Sequence, residues 1–147
     1  MVLELAETLV VLAEQRRRAG SLDEAGRACD EAISIAAPRE LVPTHASALA
    51  ARARIRADHR TAGDILRARD DADHALRLAT KLRQLPWQEL DALESHVHID
   101  GIAGTAGGWA KRAEVLRATL IPDDLDPDPL ATVEAKIAAE RESHDDD

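Results

Sequence analysis

The sequence predicts an all-α protein of about three helical hairpins closed by a short C-terminal helix. Three observations carry that expectation. The chain has 147 residues and is 45% hydrophobic, yet Trp87 and Trp109 are its only aromatic side chains among Phe, Tyr and Trp. Its apolar content is therefore mostly Ala and Leu, both strong helix formers, and Ala lets helices approach closely. A spacing also recurs three times: Gly20, Ala25, Ala32, then Gly63, Ala68, Ala75, then Gly101, Ala106, Ala113. The copies stand 43 and 38 residues apart, within the period of roughly 20–50 residues that marks an array of supersecondary units. Finally, apolar residues keep helical spacing along the chain, with few β-branched runs.

Each element follows from its own residues. Val2 to about Arg18 reads as a helix with two neighbouring apolar stripes, Val2, Ala6, Val10, Ala13 and Leu5, Leu9, Leu12. Gly20 ends it, and Arg16, Arg17 and Arg18 complement the carbonyl end of the dipole. Ser21 and Glu24 have the spacing of a capping box for the second helix. That helix would bury Leu22, Ala25, Ala28, Cys29, Ala32, Ile33 and Ala36. Pro38 and Pro43 bracket a connector, and Thr44 is placed to cap a third helix with Ala46, Leu49, Ala50, Ala53 and Ala57 inward. A turn at Thr61–Gly63 leads to the most amphipathic segment, with Ile65, Ala68, Ala72, Ala75, Leu76 and Ala79 inside. Pro86 suits the first position of a fifth helix, with Leu90, Leu93 and Val97 inside. Four glycines between 101 and 108 delay a sixth helix until near Gly107. Leu130, Val133 and Ile137 share a face of a closing helix.

The expected organisation is one domain over residues 1–141. Its repeats cover about 2–37, 44–83 and 86–119, with a capping helix at 130–141 and a disordered acidic tail at 142–147. Residues 122–147 carry ten acids against two bases, while residues 1–121 are almost neutral. Duplex nucleic acid needs clustered Lys and Arg. The only basic excess, +4 over residues 52–83, argues against that partner. No apolar run is long enough to span a membrane. The N-terminus lacks a secretory pattern, and Cys29 is a lone cysteine. A cytoplasmic protein without cofactors is expected.

The stretch Leu12-Ala13, Ala19-Gly20-Ser21-Leu22-Asp23-Glu24-Ala25, Glu31-Ala32 and Pro38 resembles a tetratricopeptide repeat. The resemblance extends over about residues 5–118. In the second copy the Leu49-Ala50 pair sits six residues too early, and Arg16 and Cys29 stand where the family places aromatics. The longer, alanine-rich copies look like the C-terminal repeats of large bacterial regulators and signalling ATPases. The resemblance implies a non-catalytic scaffold whose concave surface holds a peptide or a partner domain.

Three groups are candidate functional residues. Arg52, Arg56 and Arg60 follow i, i+4, i+8 and could clamp a carboxylate, with Asp58, Asp64 or the acidic tail as competing partners. Leu5, Leu9 and Leu12 make the first helix apolar around half its girth, which suits a homodimer through that helix. His96, His98 and Asp100 resemble the HxHxD core of metallo-β-lactamase-type hydrolases. On a helix, however, residues two apart diverge by roughly 200°, so no metal site is expected. Asp124, Asp126 and Asp128 open like a calcium loop, but Pro129 stands where glycine is needed. Cys29 reads as a small core residue.

Overall fold

The computed structural model describes residues 1–81, 85–121 and 129–145, with side chains of the last segment described for 134–142. The described residues are helical apart from short turns: α1 (Val2–Arg18), α2 (Leu22–Ala36), α3 (Val42–Asp58), α4 (Ala62–Lys81), α5 (Pro86–Ala103), α6 (Trp109–Leu120) and α7 (Pro129–Asp145). None of these helices is long and apolar enough to cross a membrane.

α1 packs on α2, α3 on α4 and α5 on α6, and each odd helix also packs on the next, α1 on α3 and α3 on α5. Among the described residues α2 and α4 do not meet. α3 touches α1, α2, α4 and α5, and its sequence explains how. Ala46, Ala48, Leu49, Ala50, Ala51, Ala53, Ile55 and Ala57 are all buried. Small side chains around the whole helix let four neighbours approach, at the cost of amphipathicity. The five residues expected inward, Ala46, Leu49, Ala50, Ala53 and Ala57, are buried, and Ala48, Ala51 and Ile55 are buried beside them. Leu49, Ile55, Leu93 and Ile99 supply the large buried side chains, each contributing about 1.5–3 kcal/mol of burial.

Turns set the true register. α1 ends in a Schellman turn, with Ser21 N–H donating to Arg16 O at 2.9 Å and Gly20 N–H to Arg17 O at 3.0 Å. Gly20 takes the left-handed conformation there (φ +83°), as do Arg60 after α3 (φ +66°) and Gly104 after α5 (φ +70°). The equivalent positions are therefore Gly20, Arg60 and Gly104, 40 and 44 residues apart. Gly63 lies inside α4 and Gly101 inside α5, so the expected glycine register is off by three residues. Three residues are nearly one helical turn, which is why small residues recur at matching offsets in either register. In the true register Ala6-Leu9-Ala13 corresponds to Ala46-Leu49-Ala53 and Leu90-Leu93-Val97. All but the half-buried Val97 are buried.

Several local expectations change. Ser21 is the N-cap of α2, but its side chain makes no capping bond; Glu24 instead faces Arg16 at 3.4 Å. The reciprocal cap forms at α4: Asp64 N–H donates to Thr61 Oγ1 at 3.1 Å, and that hydroxyl donates to the Asp64 carboxylate at 2.6 Å. Thr44 is buried within α3, which starts at Val42. The closing helix runs four residues beyond Arg141 to Asp145, so residues 142–145 are helical rather than a disordered tail. Its residues 134–142 are all exposed, and α7 packs on no other element among the described residues. Asp124, Asp126 and Asp128 lie outside the described residues.

Candidate functional site on the face shared by the odd helices

The odd helices share one face, and the centre of that face is a chain of ion pairs. Arg54 of α3 donates through Nε to Glu14 of α1 at 2.8 Å, and through Nη1 to Asp91 at 2.7 Å and the Ser95 hydroxyl at 2.8 Å, both on α5. Arg17 donates to Glu14 at 3.2 Å and to Asp58 at 3.0 Å. The other oxygen of Asp58 lies 2.6 Å from His98 Nε2. The Ser95 hydroxyl also lies 3.0 Å from the Ala50 and Asp91 carbonyls. One guanidinium thus ties three helices together.

Burial governs the two carboxylates on Arg54 differently. At Glu14 burial raises the pKa, but Arg54 and Arg17 more than offset it, so the acid is held below its ordinary range. At Asp91 burial wins over the single guanidinium of Arg54, and the pKa is raised. Among the described residues, Arg17, Arg54 and His98 on this part of the face each have a carboxylate partner.

Towards the N-terminal ends of the same helices the face turns apolar. Leu3, Pro43 and Trp87 occupy one register position on α1, α3 and α5, and all three are exposed. Beside them lies a cavity of about 200 Å³ lined by Glu7, Val10, Pro43, Thr44, Ser47 and Gln88. Neither feature was read from the sequence, because the glycine-based register does not align these three positions.

The sequence candidates fall elsewhere. Arg52 and Arg56 point away from this face and converge on Asp71 of α4: Arg52 donates to both its oxygens at 2.9 Å, Arg56 to one at 2.8 Å. Arg52 also reaches Asp30 of α2 at 3.1 Å. These arginines bridge α2 and α4, which do not touch. Their partner is Asp71, rather than the Asp58, Asp64 or tail expected. Arg60 does not join them, because it sits in the left-handed turn after α3. Of the leucines on α1, Leu9 is buried, Leu12 half-buried and Leu5 50% exposed. They do not form one free surface.

His96, His98 and Asp100 are committed to different partners. His96 is buried and stacked on Trp109, with ring centroids 3.9 Å apart. Its Nε2 lies 3.0 Å from Asp73 but off the hydrogen-bonding direction, and neither ring nitrogen makes a hydrogen bond. Burial lowers its pKa against the pull of Asp73 and Asp100. His98 turns to Asp58 on α3. Asp100 accepts from Arg69 at 3.0 Å and from Thr105 at 2.8 Å. Among the described residues no group of three metal-ligating side chains converges. Burial pushes the Cys29 thiol up to about 12, leaving it protonated and unreactive at neutral pH. No family model, no curated protein and no solved structure matches this chain, so its reading rests on its own geometry.

Proposed function

We propose that the chain is a cytoplasmic, non-catalytic protein-interaction scaffold resembling tetratricopeptide repeats, with the odd-helix face as its binding surface. In this reading the three helix pairs form a solenoid, and the chain serves a larger regulator. The observation that carries it is the packing order: odd helices meet one another, even helices α2 and α4 do not. Such an arrangement lines one side of a stack with a continuous surface. The hydrolase alternative on His96, His98 and Asp100 has less support, since each of these side chains is engaged by another partner. A homodimer through α1 remains part of the proposal, because Val2, Leu5 and Val11 expose 43–58% of their surface.

Hydrogen exchange on the chain bound to a captured partner tests the reading. Protection is expected on α1, α3 and α5. Protection confined to α2, α4 and α6, or stoichiometric zinc, manganese or iron in the purified protein, would overturn it.

A further inference from the structure

We infer that the N-terminal half of the odd-helix face binds a peptide segment carrying apolar side chains next to lysine or arginine. The inference rests on the scaffold reading and names its partner class. Leu3 and Trp87 are 43% and 54% exposed. With Pro43 they place an apolar side chain at the same level on three adjacent helices. The neighbouring cavity of about 200 Å³ is lined from all three helices. Small-molecule sites commonly occupy about 300–1,000 Å³, so this smaller hollow suits one or two peptide side chains.

Charge decides the sign of the ligand. Glu7 is the one charged residue lining the cavity; it is exposed and has no ion pair among the described residues. The cations further along the face, Arg17 and Arg54, are held by Glu14, Asp58 and Asp91. An acidic peptide would find no free guanidinium there among the described residues. A basic peptide meets Glu7, and its cation can lie over the exposed Trp87 ring. Its apolar side chains cover Leu3, Val10 and Pro43.

The test uses the full chain and two fluorescein-labelled, capped peptides, Lys-Leu-Pro-Leu-Lys and its twin with Glu for each Lys, read by fluorescence anisotropy. The basic peptide is expected to bind at least about tenfold tighter than the acidic one, and the difference to shrink with added salt. Trp87→Ala and Glu7→Lys should each weaken it by about fivefold or more. Arg60→Glu, remote from the face, should change it little. Both weakening substitutions are at exposed positions, and circular dichroism confirms that each variant is folded. Equal or tighter binding of the acidic twin overturns the inference. So does unchanged binding by both variants, or no binding of either peptide up to about 1 mM. Sedimentation showing that this face is consumed by a second copy of the chain also overturns it. Odd-helix protection by a captured protein, without preference for the basic peptide, would leave the scaffold reading standing and remove only this inference.

Discussion

The joint between the first two helix pairs and the free side of the last pair use equivalent positions, filled with opposite chemistry. At the joint, Val10 of α1 and Ile33 of α2 pack into the core beside α3. In the third pair the equivalent positions hold Glu94 and Arg117, which pair with each other while 43% and 48% exposed. The same contrast marks α1. Ala48, Ala51 and Ile55 of α3 are buried against the preceding pair, whereas 40 residues earlier α1 has Thr8, Val11 and Gln15, with Val11 58% exposed. Side-chain polarity at a register position thus follows whether another helix covers it. Covered positions shrink to alanine or become aliphatic, and most uncovered ones carry polar or charged groups.

The largest test of this contrast is at the centre. Arg54→Ala leaves Glu14, Asp91 and Ser95 without their shared donor, between three helices. Its side chain is 14% exposed, so the loss is expected to be about 2–4 kcal/mol, near the lower end for a broken buried network. Urea unfolding measures it. Arg54→Lys should recover only part, because an ammonium cannot fork to α1 and α5 as a guanidinium does. A loss below about 0.5 kcal/mol would place Arg54 among ordinary surface charges.

A smaller effect is expected where α5 turns into α6. A Cβ on Gly107 would lie 2.7 Å from the Trp109 ring and 2.9 Å from Asp100. Gly107→Ala therefore pushes the indole off His96, at about 1–3 kcal/mol for overpacking. Altered tryptophan fluorescence, together with a lowered Tm, checks it. Unchanged emission would mean that the stack on His96 is not fixed by this glycine.

Acidification probes the second joint, between α3, α4 and α5. His45 and His74 meet edge-on at 5.3 Å. Burial lowers the pKa of both, His45 further through His74 and Arg52, and His74 through Arg77 and Arg52, with Asp71 opposing. His96 is lowered as well, chiefly by burial. The unfolded chain binds these protons more readily than the folded one. Their contribution is therefore complete above about pH 6.5 and declines as pH falls below it. Tm should drop between pH 7.5 and 5.5, and His74→Gln should flatten that drop. A Tm that rises over this interval contradicts the sign.

Much of this architecture was legible in the sequence. Helix ends at Gly20 and Pro86, and the buried faces of α2 and α4, follow from local rules acting over a few residues. The register did not, because Gly63 and Gly101 imitate the turn glycine from within helices, while the equivalent turn position is Arg60, a residue type that seldom takes positive φ. The ion pairs were equally hidden. Asp71 lies 15 and 19 residues from Arg56 and Arg52, and Asp91 37 from Arg54. Nothing in the spacing says which arginine faces which helix. Alanine on both sides of α3 was the available signal: a helix with small residues all round has neighbours all round, and its arginines must then fill the gaps between them.

The smallest expected effect lies at the end of the third pair. Arg117→Leu removes an exposed ion pair worth roughly 0–1 kcal/mol and puts an aliphatic side chain where Ile33 sits in the first pair. Stability should change by no more than about 0.5 kcal/mol in either direction. Association is where the difference appears. With the introduced leucine one turn from the exposed Ile121, the free side of α6 acquires the character of a covered joint. Sedimentation should then show self-association stronger than that of the parent chain at equal concentration, and Glu94→Ala in the same background should strengthen it further by removing the unpaired carboxylate. If the double variant associates no more than the parent, polarity at these two positions is not what keeps this side free, and the contrast with the joint reduces to the absence of a neighbouring helix.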